Sequence, residues 1–277
     1  MPKTKKPRLG QNFLADRHAA AKIVDALGDI SDRLVVEIGP GKGALTETLA
    51  QRAGRLIAIE LDRMFATELR YNYSRQPNVE VLEGDVLTID FSTVLNRTIG
   101  PLNDLRPVKP SLAHVVGNLP YYITSDILLH LFDFHQHFDL IVIMVQREVA
   151  ERIAAEPGSR DFGLLSATAQ LYCKVENLFT LPPGAFAPPP KVHSSVLRLT
   201  VAPRFEELAV TPAEFISFLK NAFAMKRKTL INNLKENYPQ EKIKSALASA
   251  ALRADVRAEA VSLDKMAVLF RNLRKNP

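Results

Sequence analysis

The sequence predicts an α/β fold with a parallel sheet, followed by a small all-helical C-terminal region. Three observations carry that prediction. Short β-branched apolar runs alternate with helix-length segments through the first half of the chain, which is the pattern of βαβ units. A glycine cluster, Gly39-Pro-Gly-Lys-Gly43, joins the first strong strand to its helix. After Pro203 the apolar spacing is helical throughout, with Phe215, Phe218, Leu219, Ala222 and Phe223 on one stripe.

Taken in order, Leu34–Ile38 is short and apolar and reads as a buried strand. Residues 44–52 read as a helix with Leu45, Leu49 and Ala53 on one face. Residues 55–59 form a second strand ending in Glu60, and 62–73 a second helix. Residues 79–82 form a third strand that ends near Asp85. Residues 113–116 form a fourth, with Asn118-Leu-Pro-Tyr121 directly after it. A helix over 126–134 and a fifth strand over 140–145 complete the alternation. Right-handed crossovers place the carboxyl ends of these strands on one edge. The Pro-rich, polar segment 96–112 reads as a surface insertion. Residues 178–190 hold five prolines and read as a structured turn region, and 192–201 as a strand. The domain boundary is expected near Ala202, giving a domain over 1–202 with a basic arm over 1–12, and a helical domain over 203–277.

Composition bounds the function. The 277 residues are 47% hydrophobic and 24% charged, enough apolar surface to exclude wholesale disorder. Apolar runs fall short of the roughly 18–20 residues that span a bilayer, so no membrane association is expected. The basic N-terminus leads into no apolar stretch, unlike a signal peptide. The single cysteine, Cys173, excludes an internal disulfide and a multi-cysteine zinc site. A cytoplasmic protein is expected. The net charge of +6 is unevenly spread. Residues 1–12 carry four basic groups and no acidic ones, residues 13–202 sum to −4, and residues 203–277 to +6. Basic ends around an acidic middle suggest a polyanionic partner. Lys226, Arg227 and Lys228 are the densest part of that charge and read as phosphate contacts rather than a solvated helix end.

The glycine loop narrows the ligand. Gly39, Gly41 and Gly43 permit a tight turn and close approach of a ligand to the backbone. The spacing is neither the dinucleotide fingerprint nor a P-loop, which disfavours a pyrophosphate. Glu60, at the end of the next strand, can accept both hydroxyls of a ribose. Asp85, at the end of the third, can accept from an adenine amino group. Together they describe a site for a nucleoside without phosphates, and S-adenosylmethionine is the common ligand of that kind.

Asn118-Leu-Pro-Tyr121 lies on the same edge. An exocyclic amine on a base is a poor nucleophile because its lone pair is delocalised into the ring. Two acceptors can hold its hydrogens and tilt the nitrogen toward tetrahedral geometry. The Asn118 side-chain oxygen and the backbone carbonyl of Leu119 or Pro120 can serve. Pro120 stiffens the turn, and Tyr121 can stack on the base, worth about 1–3 kcal/mol. Positioning should dominate the rate enhancement. The six histidines show no metal spacing, and His135 and His137 read as a loop or strand start. Cys173 reads as a core residue at the end of an apolar helix over 164–173, and Phe215, Phe218 and Phe223 as core. No metal is expected.

Five segments occur in sequence: Gln11-Asn-Phe-Leu14, Glu37-Ile-Gly-Pro-Gly-Lys-Gly-Ala-Leu-Thr46, Asn118-Leu-Pro-Tyr-Tyr-Ile-Thr124, Met144-Val-Gln-Arg-Glu-Val-Ala-Glu-Arg152 and Phe186-Ala-Pro-Pro-Pro-Lys-Val192. In this combination the chain resembles the small-subunit ribosomal RNA adenine dimethyltransferases, from about Lys5 to the C-terminus. The resemblance implies a Rossmann-like, seven-stranded S-adenosylmethionine methyltransferase sheet. It implies methylation of two adjacent adenines near the 3′ end of that RNA, by a monomer acting on the immature small subunit. Asn12 and Leu14 would close over the methionine end of the cofactor, with Gly39 and Gly41 beneath it. Asn118 would face cofactor and target amine, and Tyr121 and Phe186 would sandwich the base. The insertion over 96–112 exceeds the connection expected in that family. Two other readings remain open: a macrolide-resistance-type enzyme acting on large-subunit RNA, and an assembly factor whose binding outweighs its catalysis.

Overall fold

The computed structural model describes residues 12–98 and 112–274, with side chains omitted at Arg97 and Thr98. Residues 1–11 of the basic arm and most of the insertion, 99–111, lie outside the described residues. In chain order the elements are β1 (Phe13–Leu14), α1 (Arg17–Asp25), β2 (Leu34–Ile38), α2 (Thr46–Arg52), β3 (Arg55–Glu60), α3 (Arg63–Asn72), β4 (Val79–Glu83) and α4 (Phe91–Thr98). Then follow β5 (Ala113–Asn118), α5 (Thr124–Asp133), β6 (Phe138–Gln146), α6 (Arg147–Ile153), α7 (Leu164–Tyr172), β7 (Cys173–Leu181), β8 (Phe186–Ala187) and β9 (Ser194–Val201). Four helices end the chain: α8 (Pro212–Ala222), α9 (Leu230–Leu234), α10 (Gln240–Ser249) and α11 (Leu263–Arg274).

Seven strands form one sheet in the order β4-β3-β2-β5-β6-β9-β7. The pairs β2·β3, β2·β5, β3·β4 and β5·β6 are all parallel. Strands buried on both faces read as continuous apolar runs, and β2 is buried at all five positions. The chain leaves β2 in both lateral directions, toward β3 and toward β5, so β2 marks the switch point where ligands enter an open α/β sheet. Two aspartates start the helices at that edge. Asp16 caps α1 by accepting from Ala19 N at 3.0 Å, and Asp62 caps α3 through Met64 N at 2.8 Å. Where β5 leaves the sheet, Gly117 stands opposite Ile38. A Cβ there would lie 2.6 Å from Ile38 O, so only glycine lets the two strands part at this spacing.

The chain divides into two compact units, Met1–Arg147 with Leu178–Arg198, and Glu148–Asn177 with Leu199–Pro277. The boundary expected at Ala202 lies four residues past the last crossing, but the sequence reading assigned α6 and α7 to the first domain. The structure groups them with the C-terminal helices. Within this second unit the rings of Phe162 and Phe223 meet edge-on at 5.9 Å, and those of Tyr172 and Phe205 at 5.1 Å. Helix α7 is buried at six of its nine residues, so it has no polar face to betray which unit it serves. Cys173 opens β7 instead of closing the helix. Its thiol is buried, and burial pushes its pKa up to about 12, which makes it an inert core group. Phe215 and Phe218 are likewise core, stacked at 5.9 Å and both against Phe270.

Candidate active site

A cavity of about 250 Å³ opens at the carboxyl edge of β2, β3 and β5. The glycine loop forms its floor. Gly39, Gly41 and Gly43 all have positive φ, at 65°, 54° and 83°. At Gly41 a Cβ would also meet the Phe13 ring at 3.0 Å, so a side chain is excluded there by conformation and by space. Phe13 is held by β1, which pairs with β8 in the register Leu14↔Phe186. The N-terminal segment is thereby laid over the loop, and Asn12, Phe13 and Leu14 all reach the cavity wall.

Glu60 ends β3 and is 3% exposed. Its Oε2 accepts from Gly41 N at 2.9 Å, and its Oε1 accepts from Asp62 N at 2.8 Å. Each carboxylate oxygen keeps a second lone pair, so the group braces the loop and can still receive a vicinal diol. Asp85 divides its work in the same way. Its Oδ1 accepts from Leu87 N at 3.0 Å and caps a short 3₁₀ turn, and Asp85 also lines the cavity. Two carboxylates thus share a cavity with a loop whose glycines all have positive φ.

Asn118 ends β5. Its Nδ2 donates to Asn12 O at 3.2 Å, which leaves the side-chain oxygen as the end that accepts. Leu119 N donates to Met144 O at 3.0 Å, so the turn is pinned to β6. The carbonyl of Pro120 is already engaged, by Ile123 N at 3.3 Å and by Thr124 Oγ1 at 3.1 Å. Between the two backbone acceptors the sequence leaves open, the one uncommitted among the described residues is Leu119 O. The Tyr121 hydroxyl is hydrogen-bonded to Ser194 Oγ at 2.9 Å, and Ser194 is fully buried, so the phenol ring is anchored.

Of the residues singled out from the sequence, Asn12, Leu14, Gly39 and Gly41 line this cavity, as do Glu60, Asp85, Asn118, Pro120 and Tyr121. Phe186 is not on its wall. The pairing with Leu14 seats Phe186 in the core beside Leu181 and Val196, at 3% exposure. The aromatic residues on the wall are Phe13, Tyr121 and Tyr122, and the buried position of Phe186 differs from the base-facing one that the resemblance implies. Lys226, Arg227 and Lys228 belong to the second unit and lie exposed in the loop between α8 and α9. Among the described residues no cluster of His, Cys, Asp and Glu could hold a metal. His135 and His137 form a 3₁₀ turn before β6.

Sequence reasoning assigned no role to Glu37. It is buried inside β2, lines the cavity and accepts from Thr46 Oγ1 at 2.7 Å. Burial raises its pKa to about 8, against the Thr46 hydrogen bond that lowers it, and the neighbouring Glu60 charge raises it further. The signal was present as a single carboxylate in an otherwise apolar strand. Between pH 4.5 and about 8 the folded state holds a proton that the unfolded state releases. Stability of the ligand-free protein should therefore fall as pH rises through this window, by about 1.4 kcal/mol per pH unit. Glu37→Gln is expected to remove that slope and to be the more stable protein at pH 8. Denaturant midpoints from pH 5 to 8 check it; parallel curves for the two proteins would refute it.

A parallel sheet that brings a glycine loop, the Glu60 carboxylate and the Asn118 turn onto one cavity at its switch point has the architecture of the Rossmann-like methyltransferases. The comparisons agree. The family "Ribosomal RNA adenine dimethylase" matches residues 2–275. The chain is 60% identical to the ribosomal RNA small subunit methyltransferase A of Koribacter versatilis over 271 residues, covering 98% of this chain and 95% of that protein. It is 55% identical to the protein of the same name from Acidobacterium capsulatum, over 97% of this chain and 91% of that one. Among solved structures, a dimethyladenosine transferase from Plasmodium falciparum superposes with a TM-score of 0.74 at 25% identity, covering 93% of this chain and 95% of that one. The 23S rRNA methyltransferase ErmE gives 0.69 at 27%, covering 95% of this chain and 100% of that one. The chain belongs to the ribosomal RNA adenine dimethylases.

Proposed function

We propose that the protein transfers methyl groups from S-adenosylmethionine to the N6 of two adjacent adenines near the 3′ end of small-subunit ribosomal RNA. It does so twice per base, as a cytoplasmic monomer acting on the immature subunit. The observation that carries this reading is the Asn118 turn, which holds two free acceptors, the side-chain oxygen and Leu119 O, beside a nucleoside-shaped cavity. When bound, S-adenosylmethionine supplies an electrophilic methyl group on a positive sulfur. The residues of the chain position the other partner. In the first transfer Asn118 and Leu119 O each accept one hydrogen of the amine and draw the nitrogen out of conjugation; in the second, one of them holds the single hydrogen that remains. Tyr121 offers its ring to the base, in an orientation held by Ser194. No strong general base is required, because the amine becomes acidic once alkylated and its proton can pass to water. Among the described residues no helix is long and apolar enough to cross a membrane.

Small subunits from a strain lacking this methylation, incubated with tritiated cofactor, should yield dimethyladenosine as the end product on nucleoside analysis. With large-subunit RNA incubated in parallel, label there and none in the small subunits would sink the reading in favour of the macrolide-resistance type. The exposed loop of the second unit should carry part of the RNA affinity. Lys226 Nζ donates to Arg160 O at 2.7 Å, whereas the side chains of Arg227 and Lys228 make no hydrogen bond or ion pair among the described residues. Replacing all three by Ala is expected to weaken RNA binding and lower the salt slope by about two contacts' worth, at roughly 0.7–0.9 each. Cofactor affinity should not change. A salt slope equal to that of the wild type would make the loop an ordinary solvated surface.

A further inference from the structure

We infer that Tyr122 is the stacking platform for the nucleotide next to the target adenine; this rests on the RNA-adenine reading above. Two consecutive tyrosines follow Pro120 and meet different surroundings. Tyr121 is half-buried, with its hydroxyl bound to Ser194. Tyr122 lines the same cavity yet is 65% exposed, and its hydroxyl makes no hydrogen bond among the described residues. Its ring thus stands at the mouth, mostly exposed and with no hydrogen-bond partner among the described residues.

The rest of the rim matches a nucleic-acid strand. Leu61, which lines the cavity, is 51% exposed, and Met64, one turn further on in α3, is 66% exposed. Leu61 follows β3 and Tyr122 follows β5, the two strands that flank β2, so they rise on opposite sides of the glycine loop. Lys42, also on the cavity wall, is exposed and sits with its Nζ 4.8 Å from the Phe13 ring centroid. An aromatic face, apolar shoulders and a cation around an opening are the elements of single-strand recognition. A protein partner would need a continuous apolar face, and here the cavity mouth divides it. Once one base enters the cavity, its neighbour is a single backbone step away, outside the rim. A tyrosine ring can receive it at small cost in side-chain freedom.

The test compares Tyr122→Ala, Tyr122→Phe and Tyr122→Trp, in three measurements. These are methylation of unmethylated small subunits, binding of S-adenosylhomocysteine, and binding of a protein-free RNA fragment that carries the adenine pair. The position is exposed, and the S-adenosylhomocysteine measurement detects any folding defect. For Tyr122→Ala we expect KM to rise roughly 5- to 100-fold, the range that stacking on one base supplies, with kcat within about twofold. The RNA fragment should lose affinity by a similar factor. Phe and Trp should retain wild-type behaviour, because the ring and not the hydroxyl does the work. Several outcomes would overturn the inference: unchanged KM and RNA affinity, a Phe variant as poor as Ala, lost S-adenosylhomocysteine affinity, or a defect on subunits but not on free RNA, which would point to a ribosomal protein. A wild-type enzyme inactive on small subunits would instead overturn the proposed function, and the RNA-binding arm would still decide the role of Tyr122.

Discussion

Asn118→Ala is expected to slow methyl transfer by about 100- to 1,000-fold, the cost of removing one preorganised electrostatic contact to a reacting group. The side chain has two separable ends. Its oxygen is the acceptor for one amine hydrogen, and its nitrogen ties the turn to Asn12 O at 3.2 Å. Alanine removes both. Asn118→Asp keeps an acceptor but gives up the donor, so it should fall between wild type and alanine. The loss belongs in kcat, because in the proposed function the base is still received by Tyr121 and the cofactor by Glu60 and Asp85. Affinities for S-adenosylhomocysteine and for RNA should stay within about threefold. Single-turnover rates together with both binding constants test this. Transfer surviving at more than a tenth of the wild-type rate would remove Asn118 from the chemistry.

The second large effect is expected at Glu60. Its carboxylate receives Gly41 N and Asp62 N inside the protein, at 2.9 and 2.8 Å. Glu60→Ala leaves both amides without their acceptor, each worth about 1–3 kcal/mol. It also removes the ribose contacts, which as hydrogen bonds to a charged group are worth about 1.5–3 kcal/mol. The variant should lose on the order of 2–4 kcal/mol of stability and at least about 100-fold in cofactor affinity. Glu60→Gln is no conservative rescue, because its amide nitrogen must face one of two N–H donors. Thermal unfolding and calorimetric titration with S-adenosylhomocysteine read the two effects separately. Normal affinity in a protein of normal stability would mean that the loop is braced by something else.

The fold edge and most of the site were legible because parallel-sheet physics is local and repetitive. Each strand announces itself by apolar β-branched residues, and handed crossovers bring the residues after each strand to one edge. Gly39, Gly41, Glu60, Asp85, Asn118 and Tyr121 could therefore be gathered before any coordinates, and they line one cavity. Asn12 and Leu14 were not legible in that way. They reach the site through β1, whose two-residue pairing with β8 spans more than 170 positions, and only the family resemblance indicated them.

What the sequence determined by itself is the class of site: a glycine cradle and strand-end carboxylates for a nucleoside, with an asparagine-proline-tyrosine turn for an amine. What the tertiary structure decided is how each group is committed. It left Leu119 O free and engaged Pro120 O, turned the Asn118 amide by its bond to Asn12, and placed Phe186 in the core. It also made Glu37 a buried acid with a pKa near 8 and assigned α7 to the second unit. These are outcomes of long-range packing and of competition for hydrogen-bond partners. For Asn118, Phe186 and α7 the partners are distant in the chain, so no local pattern of residues encodes them; Pro120 O is taken by a local turn, through Ile123 N and Thr124 Oγ1.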